Sequence, residues 1–339
     1  MSKKQWVLAV PLLACIGFLY QVIGTKLDEA RYPPPGELVD IGGYRIHLYN
    51  TGTGGPTVIL DAGLGGISSS WGLVQPEISK FTRVVSYDRA GTGWSDESPY
   101  PRTSEQMVQE LHTLLHAAKI PGPYIFVGHS LGGVNAQLFA ATFPAEVLGL
   151  VLVDSGHEAQ ERRLPPIPIG GCMKFLQKPT VIQMASTLGI LRLFSNLYMQ
   201  IVVPSMPQPL WNIHRVLCTT PKYWRTVFLE EGCLLLSLKQ LEGVNLSTFA
   251  NKPCIVITSG APPDLSPDLE KYWQEFHAVW KDLQKELVAK FPNSRQMVAE
   301  KSDHMIPWNQ PELIVQAARE LGCPNEERTQ SSSLEQSSN

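Results

Sequence analysis

Short apolar runs and longer amphipathic segments alternate along most of this chain. The apolar runs are uninterrupted and bounded by turn-forming residues, which is typical of strands that are buried on both faces of a sheet. The predicted strands are residues 37–41, 44–50, 57–60, 84–86, 124–127, 148–153, 254–258 and 296–299, and the predicted helices include 104–118, 131–143 and 310–321. This alternation predicts an α/β domain whose mostly parallel sheet is joined by right-handed crossovers.

An uncharged apolar segment stands near the N-terminus. Residues 5–25 carry no charge and follow Lys3 and Lys4, and about 20 apolar residues are enough for a helix to cross a bilayer. The sequence therefore predicts a signal anchor over residues 1–27 that contacts the membrane and leaves the rest of the chain translocated. A cleaved signal peptide, which would release a secreted or periplasmic protein, is the main alternative, and a mitochondrial segment or a buried helix also remains open. Residues 28–36 include three consecutive prolines and are predicted to form a linker.

Composition excludes some classes of partner. The 339 residues carry a formal net charge of −3, which gives no electrostatic reason to expect nucleic acid. The six cysteines form no Cys-x-x-Cys pair, and no cluster of cysteine and histidine has zinc spacing. We therefore expect neither a metal nor another cofactor. Residues 325–339 are mostly polar and are predicted to be disordered, and the oligomeric state stays open.

A serine lies on a glycine-rich turn between a predicted strand and a predicted helix. The sequence around it is Val127-Gly128-His129-Ser130-Leu131-Gly132-Gly133. Glycines on both sides of Ser130 let the chain turn sharply, so that the hydroxyl stands exposed above the edge of the sheet. The pattern therefore predicts that Ser130 is a catalytic nucleophile.

Two backbone amides are candidates for binding an oxyanion. The amide of Leu131 is at the start of the helix that follows Ser130, where N–H groups and the helix dipole favour negative charge. The second candidate is Leu64, in the glycine-rich segment Asp61-Ala62-Gly63-Leu64-Gly65-Gly66 after the third strand. A loop of this kind lets the backbone approach a substrate closely.

Together these motifs resemble the α/β-hydrolase superfamily. The resemblance extends from about residue 36 to 323 and rests on residues 61–66, 87–95, the turn at Ser130, residues 150–154 and residues 301–307. The first segment has Ala62-Gly63 where the superfamily usually has His-Gly. A backbone donor remains available there, because the oxyanion is bound by a backbone amide and not by the histidine side chain. The set is specific for the superfamily and carries little information about the substrate.

The resemblance implies the partners of the nucleophile. In this superfamily the chain order is nucleophile, acid, histidine, which makes His304 the general base. For the acid we favour Asp154, at the end of the sixth strand, with Asp264, after the seventh, as the alternative. The resemblance also implies that Asp88-Arg89 is structural and ties loops together through an ion pair.

A helical cap is expected between the sixth and seventh strands, over residues 155–250 of a hydrolase domain that covers 37–324. Helical pieces are predicted near 180–196 and 223–241, and their apolar residues suit a cover that excludes water from an acyl pocket.

We therefore expect a serine hydrolase that cleaves an ester, lactone, thioester or amide bond of an apolar small molecule or lipid. The alternatives are an acyltransferase, a cofactor-free haloperoxidase-like enzyme and, on the same scaffold, a non-catalytic binding protein.

Overall fold

One eight-stranded sheet organises the fold, in the order β1-β2-β4-β3-β5-β6-β7-β8. The computed structural model describes residues 3–166, 178–202, 205–244, 249, 251–261 and 267–322. Strand β2 is antiparallel to both of its neighbours, and β3 to β8 are parallel. The strands are β1 (Glu37–Asp40), β2 (Arg45–Thr51), β3 (Thr57–Asp61), β4 (Val84–Tyr87), β5 (Tyr124–His129), β6 (Val147–Val153), β7 (Cys254–Ser259) and β8 (Ser294–Ala299). This arrangement confirms the predicted fold class.

Apolar cores cover both faces of the sheet. Successive side chains of a strand point to opposite faces, so Phe126 belongs to one core and Val127 to the other. The helices are α1 (Lys3–Arg31), α2 (Gln75–Ile78), α3 (Ser104–Ala117), α4 (Leu131–Thr142), α5 (Gln160–Arg163), α6 (Pro179–Thr187), α7 (Ile190–Leu193), α8 (Ser195–Val202), α9 (Gln208–Leu217), α10 (Pro221–Glu242), α11 (Pro267–Lys290), α12 (Ile306–Asn309) and α13 (Pro311–Gly322). Burial on both faces explains why the strands read as continuous apolar runs.

The carboxyl ends of the central strands meet at one edge of the sheet. Strands β5, β6 and β7 are adjacent, with His129 beside Val153 and Val153 beside Ile257. Because parallel strands end on the same side, the residues that follow them are brought together. Ser130 and Asp154 are the residues directly after β5 and β6.

The N-terminal helix is longer than its apolar segment. It continues through Arg31, so its last four residues fall in the segment that was predicted to be a linker from residue 28. Within it, Ala9–Arg31 is long and apolar enough to cross a membrane, a property that anchors and signal sequences share. Near the end of this helix, Asp28 forms an ion pair with Arg192 of a distant segment.

The segment between β6 and β7 contains helices α5 to α10. The predicted helix at 180–196 is three shorter helices, because Gly189 has a φ of 70° and breaks the first from the second. The predicted helix at 223–241 is confirmed as α10. Helix α11, which precedes β8, was not predicted.

Candidate active site

The turn at Ser130 has a strained backbone. Strand β5 ends at the residue before it and helix α4 begins at the residue after it. Ser130 has a φ of 54° and a ψ of −116°, in a region that residues other than glycine rarely adopt. Its N–H donates to the carbonyl of Val153 at 3.1 Å, and its carbonyl accepts from the N–H groups of Gly133 and Gly156 at 3.0 and 3.1 Å. These bonds hold the strained conformation in place.

The glycines on either side of Ser130 are required by close backbone contacts. A Cβ atom at Gly128 would lie 2.3 Å from the carbonyl oxygen of Gly132, and one at Gly132 would lie 2.1 Å from the carbonyl oxygen of Asp61. Both distances are far below van der Waals contact, and both involve backbone that cannot move freely. The first turn of α4 therefore packs directly against β5 and the end of β3.

His304 and Asp154 form the second part of the site. The Nδ1 atom of His304 lies 2.7 Å from Oδ2 of Asp154, whose other oxygen, Oδ1, accepts from the N–H of Ser259 and from Nε1 of Trp280, both at 2.9 Å. Asp154 is buried, whereas the His304 side chain is 45% exposed. With Nδ1 engaged, Nε2 is the ring nitrogen left for a reacting group.

Opposite effects act on the pKa values of this pair. Burial disfavours the charged form of Asp154, but the bond to His304 and the donors Ser259 and Trp280 outweigh it and lower the pKa of Asp154. Partial desolvation also disfavours the imidazolium, yet the bond to Asp154 and the charges of Asp154 and Asp303 raise the pKa of His304. The carboxylate therefore stays ionised beside a histidine that is more basic than usual.

His129 lies against His304 on the strand side. Its Nε2 is 2.8 Å from the carbonyl oxygen of His304, and the two ring centroids are 4.6 Å apart. Burial and the charge on His304 lower the pKa of His129, so it is neutral and donates from Nε2 to that carbonyl. His129 thus supports the loop that carries His304.

Arg89 fixes the glycine-rich loop after β3. Its guanidinium donates to the carbonyl oxygens of Ala62 and Gly63 at 2.7 and 2.6 Å, and it forms buried ion pairs with Asp61 and Glu230. The segment Asp88-Arg89 was expected to tie loops together through an ion pair, but its two residues have different partners. Arg89 pairs with those two carboxylates, whereas Asp88 pairs with His47 at 2.9 Å.

Glu230 reaches the same loop from the cap and was missed in the sequence. Its Oε2 accepts from the N–H of Gly65 at 2.8 Å, while its Oε1 accepts from Arg89 at 2.7 Å. Glu230 lies in α10 and is fully buried. The sequence offered one signal for Glu230, an acidic residue on the buried side of an amphipathic helix. It did not identify the partner, because Arg89 is remote from Glu230 along the chain.

The two candidate amide donors lie on either side of Ser130. A Cβ atom at Gly63 would be 3.2 Å from Cβ of Ser130, so the loop that carries Leu64 passes directly over the serine. Leu131 is the first residue of α4, where the N–H has no acceptor within the helix. The segments that carry the two candidate amides therefore meet at the serine turn.

A cavity of about 300 Å³ opens beside the serine. Its lining includes Ser130, His304, His214 and Met199, together with the loop at 62–66. The remaining lining residues are Ser70, Trp71, His129, Cys218, Tyr223, Met305, Pro307 and Trp308. Most of this surface is apolar or aromatic, which suits an apolar substrate group.

His214 brings a neutral imidazole from α9 into this cavity. It is buried, and its Nδ1 lies 3.0 Å from Oγ of Ser69. Burial lowers the pKa of His214 to about 4. Its Nε2 lies 3.4 Å from Oγ of Ser70, so both ring nitrogens have serine partners and the neutral ring adds an uncharged polar surface to the cavity.

Asp264, the alternative acid, lies outside the described residues. The structure therefore brings Ser130, His304 and Leu64 to one cavity, with Leu131 directly after the serine. It bonds His304 to Asp154 and adds Trp280 as an unpredicted partner of Asp154. Trp280, Leu283, Gln284 and Leu287 are all buried. Their spacing is that of one helical face, and this is the signal in the sequence from which α11 could have been predicted.

Known proteins share this sequence pattern and this fold. Residues 58–317 match the sequence model of the Alpha/beta hydrolase family. The uncharacterized protein YqjL of Bacillus subtilis is 37% identical over 115 residues, which cover 34% of this chain and 46% of that protein. The putative carbamate hydrolase RutD of Cronobacter sakazakii is 38% identical over 104 residues, which cover 30% of this chain and 38% of that protein. The matches thus span less than half the length of these curated relatives.

A solved structure shows the same fold over more of the chain. A probable hydrolytic enzyme from Pseudomonas aeruginosa PAO1 has a TM-score of 0.63 and is 15% identical, and the match covers 86% of this chain and 95% of that one. At this identity the likeness concerns the fold alone.

Proposed function

The chain belongs to the alpha/beta hydrolase family, and we propose that it is a serine hydrolase that cleaves an ester-type bond of an apolar substrate. The observation that carries this proposal is the shared cavity of Ser130 and His304, with His304 bonded to a buried, ionised Asp154. A strained serine beside a histidine that a carboxylate orients is the arrangement that acyl transfer requires.

In the proposed reaction Ser130 attacks the substrate carbonyl. His304 accepts the serine proton at Nε2, Asp154 stabilises the resulting imidazolium, and the amides of Leu64 and Leu131 hold the oxyanion of the tetrahedral intermediate. His304 then gives the proton to the leaving group, which departs and leaves an acyl-enzyme on Ser130. A water molecule, activated by the same histidine, releases the acid product.

Apolar lining and a neutral His214 favour an uncharged acyl group as the substrate. The cavity, at about 300 Å³, is at the lower end of ligand-binding pockets, so it suits a short or narrow acyl chain rather than a bulky one. RutD is named as a putative carbamate hydrolase, and a carbamate contains a carbonyl centre that a serine can attack as it attacks an ester.

A fluorophosphonate probe tests the nucleophile directly. We expect the full chain to be labelled at Ser130 and to hydrolyse p-nitrophenyl esters, and we expect Ser130→Ala to lose both properties. Ser79→Ala is a matched control, since the Ser79 hydroxyl donates to the nearby Pro76 carbonyl at the exposed surface. Labelling that persists in Ser130→Ala, or wild-type protein that neither labels nor hydrolyses, would contradict the proposal.

We also propose that α1 is a single-pass anchor with the catalytic domain translocated. The proposal is supported by the apolar span Ala9–Arg31 and by the lysines that precede it. The membrane fraction should retain an uncleaved chain of 37.5 kDa after alkaline extraction. A chain that has lost its first helix and is found in the soluble fraction would indicate a cleaved signal instead.

A further inference from the structure

The N-terminal helix is bonded to the cap through Arg192. The Arg192 guanidinium donates to Oε1 of Gln21 at 3.2 Å and to Oγ1 of Thr25 at 3.1 Å, and it forms an ion pair with Asp28. Gln21 is 2% exposed. The contact neutralises the arginine charge and gives the polar residues of an otherwise apolar helix their partners.

Small residues let the two segments approach closely. A Cβ atom at Gly17 would lie 2.4 Å from the carbonyl oxygen of Leu188, and one at Gly189 would lie 2.7 Å from the ring of Tyr20. Glycine contacts of this kind are typical of helix packing in membranes. The helix is therefore built to stay against the cap.

The cap segment next to this contact exposes large apolar side chains. Leu193 is 66% exposed and Phe194 is 56% exposed. We call this surface the apolar cap face, which consists of Met184, Ile190, Leu193, Phe194 and Leu197, all exposed. An exposed apolar surface of several neighbouring side chains marks an interaction site.

The position of α1 indicates what covers this face. From Gly17 to Asp28 the helix rises about 16 Å, which is about half of the hydrocarbon thickness of a bilayer. Residues of α1 on this length are themselves apolar and exposed, among them Leu19 and Ile23. If α1 spans the bilayer, the segment that packs against it lies at the depth of the nearer leaflet.

We propose that the apolar cap face inserts into the leaflet beside α1 and that lipid acyl chains are its occupant. Helix α8 connects this face to the cavity, because it carries Leu197, which is 53% exposed, and Met199, which is 1% exposed and lines the cavity. The site therefore takes its ester-type substrate from the bilayer. This last step rests on the proposed hydrolase function, whereas the membrane contact does not.

Photo-crosslinking tests the contact without reference to catalysis. The full chain is reconstituted in phosphatidylcholine vesicles with a benzophenone amino acid in place of Leu193 or Phe194. Leu148 is the control, since it is 40% exposed at the opposite end of the sheet. We expect lipid adducts at the two cap positions at least tenfold above the control. Adducts no higher than at Leu148, or cross-links to a second protein chain, would overturn the proposal.

A substrate comparison tests the second step. We expect Phe194→Glu to lower kcat/KM at least tenfold for a long-chain ester held in vesicles and to leave hydrolysis of soluble p-nitrophenyl acetate unchanged. Leu148→Glu should change neither, and thermal unfolding separates lost structure from lost membrane contact. Equal effects on both substrates would refute bilayer uptake. A wild type that hydrolyses neither ester but forms the lipid adducts would refute the hydrolase function alone.

A separate group of side chains carries a second inference. His112 and His116 lie one turn apart on α3, and Glu146 lies in the 3₁₀ turn that precedes β6. The Nε2 atoms of the two histidines are 3.0 Å apart, and the Glu146 carboxylate lies 3.0 Å from His112 and 3.6 Å from His116. Two imidazole nitrogens and a carboxylate thus point to one place.

The separations fit a tetrahedral metal. Ligand atoms about 2.0–2.1 Å from a tetrahedral Zn²⁺ are about 3.3 Å from one another. The ring of His112 is held in place by stacking on Phe143, with centroids 3.8 Å apart. The spacing of histidines alone did not indicate this site, since its third ligand comes from another element.

We infer that His112, His116 and Glu146 bind Zn²⁺ with one coordination position left for water. Titration of zinc chloride into untagged, metal-stripped full chain should show one site that also raises the melting temperature. His116→Ala should weaken binding at least tenfold and abolish the thermal shift, and His277→Ala, on another helix, should change neither. Absent binding, or equal affinity in His116→Ala, would overturn the assignment.

Discussion

The carboxylate of Asp154 receives three hydrogen bonds, and they act on His304 in two ways. The bond from Nδ1 of His304 orients the imidazole, while those from Ser259 and Trp280 keep the carboxylate ionised by lowering its pKa. A fixed, charged acid is what stabilises an imidazolium during acyl transfer.

Asp154→Asn should remove the charge and keep the size of the side chain. In the proposed mechanism kcat falls about 10³–10⁴-fold with little change in KM, because the imidazolium loses its partner and the ring its correct tautomer. Asp264→Asn, measured beside it on the same ester, should retain near wild-type kcat. The reverse ranking would make Asp264 the acid.

The pH profile reports the basicity of His304. In the proposed mechanism the ring of His304 must be neutral to accept the serine proton, and its pKa is raised, so activity should fall on acidification with a midpoint above pH 6.5, the ordinary histidine value. The charge of Asp303 contributes to this shift, so Asp303→Asn should move the midpoint of kcat/KM to lower pH. A midpoint that stays in place or rises would contradict this account.

At the level of elements, the sheet was predictable and the contacts between distant elements were not. Each predicted strand is present, because burial on both faces leaves a continuous apolar run in the sequence. The turn at Ser130 was predictable as well, since its glycines are required locally. The partner of Arg89 was not, because Glu230 is 141 residues away along the chain.

Contacts between distant elements also explain what was not predicted in the cap and around Asp154. Gly189 breaks the predicted helix at 180–196 through its φ of 70°, and its close approach to Tyr20 of α1 is a tertiary contact that the local pattern does not contain. Trp280 was missed with α11, whose amphipathic face was present in the sequence but was not read as a helix. Local pattern therefore predicted the elements around the site, while the second partners of Arg89 and Asp154 required the fold.

The ion pair between Arg89 and Glu230 holds the loop over the serine to the cap. Glu230→Ala should lower the free energy of unfolding by about 3–5 kcal/mol, because it leaves a buried guanidinium with one carboxylate fewer. Glu97→Ala is the control, because it breaks an ion pair with Arg225, which lies in α10 as Glu230 does. Both side chains of that pair are about half exposed, so its loss should lower the free energy of unfolding by less than about 1 kcal/mol. Chemical denaturation of the two variants measures both, and equal losses would refute a special role for the buried pair.

At the level of the whole molecule, α1 and the cap should behave as one unit. Gly17→Ile places a side chain against the backbone of Leu188, so it should push α1 away from the cap while the chain stays in the membrane. Arg192 should then lose its partners on α1, and the melting temperature of the chain in vesicles should fall by several degrees. Cys15→Ile, at an exposed position of the same helix, is the matched control and should leave the melting temperature unchanged. Equal melting temperatures in both variants would mean that the helix and the cap are not coupled in the bilayer.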